Sequence, residues 1–249
     1  MIAPIVLAAL VATQSPDSAA RPAWYAATRY GIESMAGPLP NWRSWSVTAG
    51  IRSETVSVLA DATVTTRFGL TDVALAADGY LVLRPGTYGN LRIQVTAEPE
   101  ILPESDIAAE VFHAPARGWE ASIGYRRMAF EVEKLGIVSG GVARYAGHWY
   151  LRLKGTLAHL SEGVSPGAAL ILRRYGETRD QFVELTGGYG KELVTLGPGS
   201  VVRRSAGSVA ARGQTLIGAW WGASAGASFA VDEDQPRRVG IALGAFLRW

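Results

Sequence analysis

The residues best placed to do chemistry are twelve charged side chains: Arg52, Asp61, Arg67, Asp78, Arg92, Glu110, Glu120, Arg126, Arg152, Lys154, Glu184 and Arg248. Each falls on the position opposite to a run of alternating apolar residues. Both signs are present, which suits a polar passage whose charges set selectivity, or equally an interior filled by ion pairs. Tyr150 adds a ring able to stack on a pyranose. Catalytic chemistry has weaker support. The three histidines are His113, His148 and His159, and only His159, with Ser161 and Glu162 nearby, pairs an imidazole with a hydroxyl and an acid. No nucleophile motif surrounds them, so no catalytic residue is expected. Asp232-Glu233-Asp234 reads as a solvated loop before it reads as a cation site. No metal-ligand spacing, phosphate loop or paired-carboxylate motif stands out, so neither metal nor cofactor is expected.

Residues in that setting must be positioned by strands. The closing stretch is the clearest: Val239, Ile241, Leu243, Ala245, Leu247 and Trp249 share one parity, while Gly240, Ala242, Gly244, Phe246 and Arg248 share the other. Such a period of two, ending on an aromatic, is the pattern of a last barrel strand with its apolar row in lipid. The same habit recurs upstream. It appears from Trp24 to Tyr30, Trp45 to Ile51, Val56 to Phe68, Val73 to Leu83, Leu91 to Val95, Ile107 to His113, Trp119 to Tyr125, 135–145 and Trp149 to Leu157. It continues through 168–175, 181–190 and Ile217 to Phe229. The stretch 201–211 has no clean parity.

Connections alternate in length. Glu33–Asn41, Ala97–Asp106, Ser161–Pro166, Lys191–Ser200 and Val231–Pro236 read as long loops. Arg52–Glu54, Ala114–Gly118, Gly176–Arg179 and Ala211–Gln214 read as tight turns, and Gly69–Asp72 breaks the alternation. The expectation is an all-β, antiparallel up-and-down transmembrane barrel of about fourteen strands, or twelve if 201–211 and a neighbour are loop. It would span residues 21–249 as one domain. Residues 1–20 contain the apolar run IAPIVLAALVA and read as a signal peptide or a disordered N-terminus.

Composition agrees. The 249 residues include 29 glycines, eight tryptophans and no cysteine, with a net charge of +2. That charge is too small to argue for nucleic acid. A mean hydropathy of +0.12 without a long apolar helix fits strands that alternate between lipid and a wetter interior. The tryptophans, Trp42 among them, sit mostly near strand ends, where an interfacial girdle is the ordinary explanation. Trp45, Trp119, Trp149, Trp221 and Trp249 are the residues assigned to that interface.

Several segments resemble the YaiO-type outer-membrane β-barrel family: Arg67-Phe68-Gly69, Glu110-Val111-Phe112, Trp119 to Arg127, Tyr145 to Leu151, Arg173-Arg174-Tyr175 and Gly187 to Gly190. The resemblance implies a bacterial outer-membrane location, with some members near surface-polysaccharide machinery. The expected function is a porin-like channel, receptor or surface scaffold of the cell envelope. Its expected partners are outer-membrane lipid and lipopolysaccharide, the barrel-assembly machinery through the C-terminal strand, and polysaccharide. The alternatives are a lipid-modifying esterase or acyltransferase, and a closed structural barrel docked to periplasmic partners.

Overall fold

Alternating sequence becomes a closed ring of hairpins. The computed structural model describes residues 23–36, 40–160, 163–197, 200–232 and 237–249. The signal-peptide expectation for 1–20 lies outside them. Fourteen antiparallel strands follow in order: β1 Ala23–Met35, β2 Trp42–Arg52, β3 Val56–Arg67, β4 Leu70–Arg84, β5 Thr87–Ala97, β6 Ser105–Ala116 and β7 Trp119–Ala129. Then come β8 Lys134–Ala146, β9 Trp149–Leu160, β10 Gly163–Tyr175, β11 Phe182–Gly197, β12 Ser200–Leu216, β13 Trp221–Asp232 and β14 Arg238–Arg248. Each pairs with its sequence neighbours, and β1 pairs with β14 to close the barrel. The seam runs in continuous register from Tyr25↔Arg248 to Met35↔Arg238. It is finished by reciprocal bonds between Trp24 and Trp249, with Trp24 N donating to Trp249 O at 2.7 Å. Among the described strands no edge is left unpaired, the condition for placing a sheet in hydrocarbon.

The two faces are inside-out by the standard of a water-soluble protein. Ile123, Leu243 and Val183 are 66, 65 and 62% exposed on the outer row, whereas Glu184, Asp72 and Asp106 are 1, 1 and 2% exposed inside. A continuous apolar belt of this kind is costly in water and favourable against acyl chains. Strands of eleven or more residues supply the length a tilted crossing needs.

Four expectations shift at the connections. Lys191 to Gly197 extends β11 instead of forming a long loop, and Ser200 onward belongs to β12. Residues 211–214, expected as a turn, lie inside β12, where Ala211 pairs with Ala227 and Gln214 with Ser224; the turn falls at 217–220 and takes Ile217 and Ala219 with it. Small residues on both faces of β12 erased the parity that would have shown this. Val164 to Pro166 already belong to β10, paired with β9 as Val164↔His159. The 176–181 connection is longer than the expected tight turn. At the two-residue connection between β3 and β4, Phe68 and Gly69 both take positive φ (54° and 84°), as a primed two-residue turn demands.

Candidate functional site: the barrel interior

Inner-parity residues converge on a lumen that is half packed and half open. A cavity of about 670 Å³ runs beside the inner faces of β1–β7 and β10–β14. Arg52, Asp61, Arg67, Asp78, Arg92, Arg126 and Glu184 border it. Glu110, Glu120, Tyr150, Arg152 and Lys154 also point inward, but they build the packed side of the lumen.

On that packed side, Glu110 of β6 accepts Lys154 Nζ at 2.9 Å and forms a close ion pair with Arg152 of β9. Arg152 Nη2 also donates to Ser122 Oγ at 2.8 Å. A guanidinium can cross two intervening strands only because their inner faces are nearly bare. A Cβ at Gly124 would sit 3.1 Å from Glu110 Cγ, and one at Gly141 would sit 3.2 Å from Arg152 Nε. Gly141→Val should therefore push Arg152 off Glu110 and leave a buried guanidinium without its carboxylate, lowering stability by about 3 kcal/mol. Denaturant unfolding of the refolded barrel measures this; an unchanged midpoint would contradict the packing described.

Toward the terminal rim, where β1 begins and β14 ends, the wall becomes aromatic. Tyr88 stacks on Phe112 with centroids 4.7 Å apart, and its hydroxyl donates to buried Glu120. Tyr150 packs on Tyr145 at 4.6 Å and is 3% exposed, so its ring belongs to the wall and offers the cavity no open face for a sugar. The 176–181 connection folds over this rim. Asp180 pairs with Arg248 and lies 3.8 Å from Arg52, bridging to β14 and β2. Arg52 in turn lies over the Tyr25 ring at 3.5 Å.

At mid-height, Asp61 accepts the hydroxyls of Thr48 (2.7 Å) and Thr63 (2.8 Å), with Arg92 at 4.0 Å. Asp78 accepts Asn90 Nδ2 at 3.1 Å, and Asp106 binds Arg126 in a two-pronged pair. At the distal rim the 98–104 connection tucks inward. Asp72 holds it by accepting the backbone N–H groups of Leu102 at 2.7 Å and Ile101 at 2.9 Å. Arg67 and Arg238 both lie over the Trp42 ring, at 4.8 and 5.2 Å.

The interior corrects two expectations. Trp42 is 4% exposed inside the barrel and so stands apart from the outer aromatics. Asp232 is no solvated loop residue: it ends β13, faces inward and binds Arg238 at 3.1 Å. Glu233, Asp234, Ser161 and Glu162 lie outside the described residues, and His159 is exposed on the outer row of β9. Among the described residues no group of three or more acidic or imidazole side chains converges as metal ligands do. Trp24, Trp119, Trp149, Trp221 and Trp249 face outward at the terminal rim, and Trp45 faces outward beside Tyr30 nearer the distal one. Arg144 and Arg174 lie over Trp119 and Trp149 at 5.0 and 5.9 Å.

Sequence reasoning missed Arg29, Arg173, Asp180, Arg212 and Arg238. The inner parity of β1 could have revealed Arg29. Arg212 was hidden by the misplaced turn, and Asp180 is a turn residue whose inward fold leaves no trace in periodicity.

The family model described as "YaiO membrane beta barrel domain" matches residues 24–193. No curated protein sequence matches. Among solved structures, the CymD monoaromatic hydrocarbon channel is similar with a TM-score of 0.60 at 5% identity, covering 91% of this chain and 88% of that one. OpdO of Pseudomonas aeruginosa is similar with a TM-score of 0.52 at 6% identity, over 92% and 96%. A bacterial polysaccharide outer membrane secretin is similar with a TM-score of 0.52 at 9% identity, over 94% and 100%. At these identities the likeness is one of fold.

Proposed function

Since this chain belongs to the YaiO family of membrane β-barrels and lies in the bacterial outer membrane, we propose that it works as a narrow channel for small polar solutes. The observation that carries this reading is the cavity of about 670 Å³ along one side of the lumen, bordered by charged and hydroxyl side chains. That volume suits a monosaccharide or disaccharide and is too small for an extended polysaccharide chain to pass freely. A role in envelope polysaccharide assembly would then involve short saccharides or their precursors. The inward folds of 176–181 and 98–104 restrict both mouths and favour low, fluctuating conductance over that of an open porin.

Reconstitution into planar bilayers tests this. Discrete current steps well below those of a general porin are expected, together with swelling of proteoliposomes in monosaccharide. A barrel that folds, migrates heat-modifiably and passes neither ions nor sugar would be a closed structural barrel, and the channel reading would fall.

A further inference from the structure

Three arginines border the cavity along the inner wall that runs from β10 through β14 to β1, namely Arg173 of β10, Arg212 of β12 and Arg29 of β1, and Glu184 of β11 pairs with the first two. Glu184 accepts Arg173 Nε on one oxygen and Arg212 Nε on the other, each at 2.7 Å. Both oxygens are thus engaged. Arg173 also donates from Nη1 to Tyr175 Oη at 3.0 Å. Arg212 is left with a buried Nη2 that has no partner. Arg29 enters from the other side on β1, exposed to the cavity and forming no ion pair among the described residues.

The two under-compensated arginines lie against the same glycine. A Cβ at Gly226 would stand 3.4 Å from Arg29 Nη2 and 3.5 Å from Arg212 Cβ. Arg29 reaches there past Gly244, where a Cβ would stand 3.4 Å from Arg29 Cβ. The Gly226 backbone therefore lies bare beneath the Arg29 guanidinium and beside the stem of Arg212, a surface that admits the close approach of a ligand. Like charges brought together in a lumen of reduced dielectric repel each other, and a shared counter-anion relieves that repulsion. Guanidinium forks fit carboxylate and phosphate oxygens in particular, because two N–H groups match two oxygens.

Resting on the channel reading, we infer that Arg29 and Arg212 form a binding site over Gly226 for the oxyanion of a small solute, either a sugar carboxylate or a phosphate. The solutes favoured by the passage are then anionic, and neutral sugars are held more weakly.

Calorimetric titration of the full chain in detergent, with inorganic phosphate, glucuronate and glucose as probes, reads the site without requiring conduction. Phosphate or glucuronate should bind while glucose does not, and Arg29→Gln should weaken binding about ten-fold, the loss expected for one charged hydrogen-bonding group. Arg29 is exposed in the cavity, so this variant should keep heat-modifiable migration, which confirms that it folds. Binding of phosphate alone would assign phosphorylated solutes, and binding of glucuronate alone would assign uronates. In bilayers under a salt gradient, the wild-type current should favour chloride over potassium, and Arg29→Gln should move the reversal potential toward zero. Conduction with neither anion bound, or binding indifferent to Arg29→Gln, would overturn the site. Binding without conduction would keep the site and overturn the channel.

Discussion

Glu184→Leu is expected to destabilise the folded barrel by about 3–5 kcal/mol, the cost of leaving buried charge without its partner. The carboxylate is 1% exposed and is shared by Arg173 and Arg212, of which Arg173 is 5% exposed by side chain. Removing it leaves one buried and one half-buried guanidinium facing each other without a counter-charge. Both also lie against the Phe182 ring, at 4.8 and 5.1 Å, which offers far less than a carboxylate does. Denaturant-induced unfolding from lipid vesicles measures the loss. Lys154→Ala gives the contrast: Lys154 is 27% exposed and Glu110 keeps Arg152, so a cost below about 1 kcal/mol is expected. Equal effects for the two variants would mean that interior ion pairs do not hold this barrel together.

Asp180→Ala is expected to raise single-channel conductance by about two-fold or more. The 176–181 connection is pinned inward by the pairs from Asp180 to Arg248 and Arg52 and by Gln214 Nε2 donating to the Asp180 carbonyl at 3.2 Å. Alanine removes both ion pairs and keeps the bond from Gln214 to the backbone carbonyl. The connection then spends more time away from the mouth, and channel noise should rise with the mean current. Unaltered conductance would show that the terminal rim does not limit passage.

The barrel was legible because lipid and lumen impose a period of two. Where one side is Val, Leu or Trp and the other is charged, as along β3, β9 and β14, the strand and its orientation follow directly. Legibility failed where the outer row is itself small. In β12, Ala211 and Gly213 alternate with Ala210 and Arg212, so the segment resembled a turn and Arg212 was lost from the candidate site. Interior placement of the charged residues could be read from parity, but their pairing could not. Glu110 and Arg152 meet across three strand intervals because Gly124 and Gly141 are bare, a fact of closure and register with no local signature. Trp42 shows the same limit. Its place near a strand end suggested the girdle, yet its even position in β2 turns it inward beneath Arg67 and Arg238.

The absence of cysteine permits a clean test of orientation. Single cysteines placed in turn at Ile241, Ala242 and Leu243 can each carry a spin label in the reconstituted barrel, and collision with oxygen and with a water-soluble nickel chelate can then be compared. Labels at 241 and 243 should collide with oxygen dissolved in the acyl chains, while that at 242 should meet the nickel chelate from the lumen. The reverse alternation, or no alternation at all, would contradict a barrel that turns its apolar row to lipid and its charges inward.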